Sequence, residues 1–236
     1  MTVRHRLSYL ARHMFIELPE GLFFVDTGSP VTFGRTGTAT YGATQVPIPR
    51  RCGPLEVGAL HGLHLEEQLG RPIDGLIGMD LMSTAPVLWD GPAGEAVVGQ
   101  DAPEAGSSLI SAPLVLNAVP MVETIVEGRP MRMMFDTGAQ YGYMTERSGL
   151  AMGTDAGPFD DFHPILKEIR TESIHAGVEI VAEQGEPIRF TERFGHDEPL
   201  SDAILRRVGV DGIVGCSWLP NHRVWFSPRA GRLAVA

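Results

Sequence analysis

One pattern occurs twice along these 236 residues, and a chain that repeats itself is built from two copies of one folding unit. The first copy runs Phe15-Ile-Glu-Leu-Pro-Glu-Gly-Leu-Phe-Phe-Val-Asp26-Thr-Gly-Ser, the second Thr124-Ile-Val-Glu-Gly-Arg-Pro-Met-Arg-Met-Met-Phe-Asp136-Thr-Gly-Ala. Each reads as an apolar strand, a tight turn at Gly21 or Gly128, and a returning strand that ends in Asp-Thr-Gly. A second matched pair follows: Ile73-Asp-Gly-Leu-Ile-Gly78 answers Val210-Asp-Gly-Ile-Val-Gly215. Before each stands a short helical pattern closing on glycine, Leu65 to Gly70 and Ala203 to Gly209. A third pair, Val87 to Val98 and Val224 to Val235, reads as a hairpin ending each half.

Three features in the same order, twice, predict an N-terminal lobe over 1–98, a linker over 99–108 and a C-terminal lobe over 109–236. The linker, Gly99 to Ser108, is small, polar and without periodicity. Plentiful Gly and Pro favour many turns and short strands, so the expected class is all-β with few helices, two related lobes around a pseudo-two-fold axis. The second half carries an insertion, 75 residues from Asp136 to Asp211 against 48 from Asp26 to Asp74. Pro164 after His163 predicts a helix start there, and the alternation from Glu179 to Phe190 predicts a strand or hairpin.

The repeated triplet is suited to acid–base chemistry. Two carboxyls held about 3 Å apart cannot both ionise, so one keeps its proton while the other acts as a base. Asp supplies the carboxyl, Thr a hydroxyl that can brace the two loops, and Gly a backbone with no Cβ to obstruct the approach. Asp26-Thr27-Gly28-Ser29 and Asp136-Thr137-Gly138-Ala139 resemble the active-site triplets of pepsin-like and retropepsin-like aspartic peptidases. Leu76-Ile77-Gly78 and Ile213-Val214-Gly215 are similar to the motif that threads behind the catalytic loop in that family. The resemblance covers nearly the whole chain. It implies the acid-protease fold, a single-chain fusion of two retroviral-type lobes, and an endopeptidase in which Asp26 and Asp136 activate water. It also implies no metal or organic cofactor, a peptide or protein substrate, and a monomer holding the complete site.

The chain departs from the retroviral pattern where Asp after the triplet and Arg after the glycine motif form an ion pair. Here stand Pro30, Gln140, Met79 and Cys216, and the expectation is that packing replaces the pair. Ser29 is expected to hydrogen-bond Asp26 and hold it charged; Ala139 offers no hydroxyl, so Asp136 is expected to carry the shared proton. Tyr41, in a Gly- and Thr-rich stretch, is a candidate substrate-binding residue on a flap over the dyad, or the aromatic of an ordinary surface hairpin. The matching flap of the second lobe would lie between Gly177 and Pro187. A non-catalytic peptide-binding module on the same fold is the alternative function, and a pairing-only subunit whose cleft is blocked by the 155–200 insertion is a third.

Other candidates carry less. His61 and His64 lack a third ligand nearby, and the acids from Asp155 to Asp161 lack the order of a calcium loop. Asp74 and Asp211 read as turn caps, Cys216 as a buried inert thiol, and Ser217 lacks a nucleophile elbow. A net charge of −10 disfavours nucleic acid and anionic membrane surfaces as partners. Two cysteines make no disulfide framework, and no apolar run is long enough for a membrane span or signal segment, so a cytoplasmic setting is expected.

Overall fold

The computed structural model describes residues 1–53, 55–56, 62–145, 153–163, 167–196 and 199–236. The two matched copies fold alike. In the first, His13–Leu18 pairs antiparallel with Gly21–Val25, which pairs in parallel with Gly75–Ile77, so that Val25 stands opposite Ile77. In the second, Val119–Val126 pairs with Arg129–Phe135, which pairs in parallel with Gly212–Val214, so that Phe135 stands opposite Val214. On the far side of each glycine-motif strand lies a short antiparallel one, Phe33–Gly34 or Gly142–Met144. Each triplet therefore leaves the C-terminal end of a strand buried between neighbours on both sides, where its direction is fixed.

The strands form an all-β architecture with three short α-helices among the described residues, at Gly62–Leu69, Met79–Met82 and Pro199–Val208. A ten-stranded sheet holds seven strands of the first half and, at one end, Ser108–Ser111, Arg232–Val235 and Arg223–Ser227 of the second. The seam is the antiparallel pair Val87–Asp90 with Arg223–Ser227, Leu88 opposite Trp225. An eight-stranded sheet holds most other strands of the second half and curls on itself, because Val119–Val126 pairs with both Arg129–Phe135 and Ser173–Ile180.

The core runs through the seam. Trp89, Phe135 and Phe226 are all buried, with ring centroids 5.5 Å apart for Trp89–Phe226 and 6.4 Å for Trp89–Phe135. Burying such a side chain stabilises by roughly 1.5–3 kcal/mol. Phe135 immediately precedes Asp136, so the residue that anchors the second triplet is part of the joint between the halves. The segment after the first half is tied down as well: the Trp225 indole donates to the Gln100 carbonyl (2.6 Å), and Arg223 pairs with Glu104 (2.5 Å).

The insertion differs from expectation. Phe159–His163 and Lys167–Thr171 are strands of an antiparallel hairpin, not a helix begun by Pro164, which itself lies outside the described residues. Their alternating pattern, with Phe159 buried and Asp160 exposed, suits a sheet with one covered face. The alternation of Glu179 to Phe190 belongs to a longer hairpin, Ser173–Ile180 with Ile188–His196.

Candidate active site

The two triplets meet. Each loop is fixed to the glycine motif behind it, with the Asp26 amide donating to Ile77 (3.0 Å) and the Asp136 amide to Val214 (3.0 Å). The threonines then lock one loop to the other. The Thr27 amide donates to the Thr137 hydroxyl (3.0 Å) and the Thr137 amide to the Thr27 hydroxyl (2.9 Å). Those hydroxyls in turn donate to the carbonyls of Phe135 (2.7 Å) and Val25 (2.8 Å). Both threonines are fully buried, so these four bonds join three polar groups of one half to three of the other in a place that water does not reach.

The glycines bring the carboxylates together. A Cβ on Gly28 would fall 2.4 Å from Asp136 Oδ2, and one on Gly138 would fall 2.6 Å from the Asp26 carboxyl. Any side chain at either position would displace the acid from the other half. The Gly28 and Ser29 amides donate to Asp26 Oδ1 (2.8 and 3.0 Å), and the Gly138 amide to Asp136 Oδ1 (2.8 Å). The carboxyls hydrogen-bond each other, and both aspartates remain partly exposed, so solvent reaches the pair.

Burial, the Asp136 charge and the hydrogen bond between the two push the Asp26 pKa well above the usual carboxylate range. Burial also raises Asp136, but hydrogen bonds from Gly138, Asp26 and Gly28 pull it back. Both carboxyls are thus held above the usual range, so the pair keeps a proton where ordinary carboxylates have lost theirs. The bond expected from the Ser29 side chain to Asp26 is not made: its hydroxyl donates to the Val31 carbonyl (3.0 Å), and only its backbone amide serves Asp26.

Asp74 and Asp211 cap the returning strands, accepting from the Leu22 amide (2.9 Å) and the Arg132 amide (3.1 Å). Cys216 is buried with its thiol pKa pushed up by burial, and the thiol donates to the Arg12 carbonyl (3.3 Å). Among the described residues no three His, Cys, Asp or Glu side chains converge as a metal site, and His61 lies outside those residues.

Tyr41 is elsewhere. Its hairpin, Thr38–Tyr41 with Thr44–Pro47, forms as expected, but Glu20 accepts from the Thr40 amide (3.0 Å) and hydroxyl (2.6 Å), and Gly42 abuts Val98. Glu20 sits at the turn end of Gly21–Val25, about 17 Å of strand from Asp26. Tyr41 is buried in the main core, without a hydrogen-bond partner for its hydroxyl among the described residues. It does not cover the dyad. The second expected flap is also fastened away from it, the Leu109 amide donating to Gln184 (2.8 Å) and the Glu183 amide to Leu109 (2.7 Å). The hairpin reaching the dyad side of the second half is Phe159–His163 with Lys167–Thr171. Phe159 packs edge-on against Tyr141 (4.9 Å), and Asp161 bonds the Tyr143 hydroxyl.

Three residues near the site carried no sequence signal. Arg12, in a left-handed turn with Ala11, lays its guanidinium over Tyr141 at 5.2 Å. His13 meets the Gly138 backbone, its pKa lowered by burial. Glu192 is 1% exposed and accepts from Ser217 Oγ (2.7 Å) and the Arg193 amide (2.8 Å).

The chain is similar in structure to the basic 7S globulin of soybean, at a TM-score of 0.56 and 10% identity, covering 100% of this chain and 94% of that one. It is similar also to the aspartic proteinase of Irpex lacteus, at a TM-score of 0.54 and 10% identity, covering 100% and 97%. No family model and no curated protein matches the sequence. The fold is thus the two-lobed all-β fold of the aspartic proteinases. It is shared by a chain named as an enzyme and one named as a globulin, so the likeness defines the architecture and leaves the activity to the site.

Proposed function

We propose that the chain is an aspartic endopeptidase that hydrolyses peptide bonds with Asp26 and Asp136. The observation that carries this reading is the pair itself: two carboxyls from separate halves, hydrogen-bonded, each seated over the other's glycine, sharing one proton and open to solvent. The charged carboxyl of the pair takes a proton from water as the oxygen attacks the peptide carbonyl carbon. The protonated one gives its proton to the carbonyl oxygen, forming a gem-diol. As the C–N bond breaks, the leaving nitrogen takes the proton gained from water, and the other carboxyl recovers its own from the diol. Both carboxyls return to their starting states.

An extended peptide is the substrate that suits a site between two β lobes, because strand-like hydrogen bonds can hold its backbone. With both acids on one chain, a monomer suffices. The test is incubation of wild type, Asp26→Asn and Asp136→Asn with a diverse peptide library across pH. Wild type is expected to cleave, and each variant to lose nearly all turnover while keeping its fold. Cleavage by either variant at the wild-type rate would remove the dyad from the mechanism. Binding of peptides by wild type with no cleavage at any pH would favour the non-catalytic module, the reading to which the globulin likeness lends weight.

A further inference from the structure

The halves differ in how the loop after each aspartate is held at its far end. In the first half, the residue six past the catalytic aspartate is Thr32. Its amide and hydroxyl both donate to Asp80 Oδ1 (2.9 and 2.5 Å), and its hydroxyl accepts from the Gly78 amide (2.9 Å). Asp80 stands two residues past the glycine of the first motif, and next to it the Met79 amide donates to Ser29 (2.9 Å). Loop 26–32 is clamped by two consecutive residues of that motif.

The second half keeps one clamp and lacks the other. The Cys216 amide donates to Ala139 (3.0 Å), the counterpart of Met79 to Ser29. The counterpart of Thr32 is Gly142, which has no hydroxyl, and its position is crowded by the Phe194 ring. The counterpart of Asp80 is Ser217, which has no carboxylate. A carboxyl nevertheless arrives there. Glu192, from the neighbouring strand Ile188–His196, faces the Gly142 amide and accepts from the Ser217 hydroxyl (2.7 Å). The thiol of Cys216 feels both the Glu192 and the Asp136 charges, which places the three groups together.

We propose that Glu192 is a positioning residue for the dyad, a carboxyl supplied from the neighbouring hairpin that does for Gly142 and Ser217 what Asp80 does for Thr32. This rests on the peptidase reading, in which the loop it braces carries Asp136, one of the two catalytic acids. The departure from the retroviral ion pair is thus met by carboxylate bonds in both halves, where packing was expected. The arrangement also couples the site to the insertion, because Glu192 belongs to a long hairpin that, among the described residues, only the second half possesses.

The experiment transplants the carboxylate. Glu192→Ala is expected to lower kcat about ten-fold or more with KM within about two-fold, and to speed hydrogen exchange of the Gly142 amide about ten-fold, as loosening of the loop beside the lost carboxyl requires. Adding Ser217→Asp to that variant puts the acid where the first half has it, and should restore most of both. General loosening by a lost core contact would not be rescued by an acid at position 217. Gly142 exchange unchanged in Glu192→Ala, or no recovery in the double variant, would overturn the proposal. If Glu192→Ala does not fold, Ser217→Ala cuts one link alone and should give about a three-fold loss of kcat; no loss refutes the brace. Should wild type cleave no peptide, the peptidase reading fails, while Gly142 exchange in the same three variants still decides whether Glu192 clamps the loop.

Discussion

Replacing Thr137 with valine keeps the shape of the side chain and deletes one of the two hydroxyls that join the halves at the dyad. In the intact protein that hydroxyl accepts from the Thr27 amide (3.0 Å) and donates to the Val25 carbonyl (2.8 Å), in a place with no exposed surface. Valine leaves both backbone groups buried and unpaired, at a cost of about 1–3 kcal/mol each. The expected loss is roughly 2–5 kcal/mol, a fall in Tm of about 5–15 °C for a chain of this size. Urea unfolding followed by tryptophan fluorescence measures it, since Trp89 and Trp218 both pack around Phe135. The double variant Thr27→Val/Thr137→Val should depart measurably from the sum of the singles, because the two hydroxyls belong to one buried network in direct contact. A single-variant loss under about 1 kcal/mol, or strict additivity, would refute the claim that these threonines lock the loops.

Glu192 keeps its proton in the folded chain to about 7, against 4.5 for an ordinary glutamate, because burial outweighs its hydrogen bonds. Unfolding therefore releases a proton between those values, so stability from this group is intact below pH 4.5 and falls as pH rises through 7. Glu192→Gln should accordingly match wild type near pH 4 and exceed it at pH 8 by on the order of 3 kcal/mol in urea unfolding; equal stability at pH 8 would count against it. Gly138→Ala drives a Cβ into the Asp26 carboxyl and should abolish peptide cleavage; a turnover assay showing more than about a tenth of wild-type kcat would contradict the geometry. Ser29→Ala should leave both limbs of the pH profile of kcat/KM in place, since the lost hydroxyl serves Val31; a limb displaced by about one pH unit would return that hydroxyl to the dyad.

What the sequence announced was whatever it repeated. The two Asp-Thr-Gly runs, the strands before them and the glycine motifs stand in register because the same short-range constraints act twice: an apolar strand, a residue without Cβ, a carboxyl at a strand end. Tyr41 misled because Gly and Thr around it predict a hairpin correctly and say nothing of where the hairpin goes; Glu20, distant from it in the chain, decided that. Pro164 misled because a proline that can open a helix can equally stand between two strands. Glu192 was invisible for a related reason. Its partners are 50 and 25 residues away, and it makes up for a threonine and an aspartate that the second half lacks, so its role shows only when the halves are superposed element by element.

The seam between the halves has a consequence in time. Val87–Asp90 exposes one edge, carrying Val87, Leu88 and Trp89, until Arg223–Ser227 arrives from 133 residues downstream to cover it. At about 5–20 residues per second, a ribosome needs roughly 7–27 s to supply that strand. For that interval the nascent chain holds an unpaired apolar edge, a place where a chaperone or a second copy can add a strand. For most of that interval Asp26 also lacks a folded counterpart, because Gly212–Val214, the strand that backs the second triplet, is still to come.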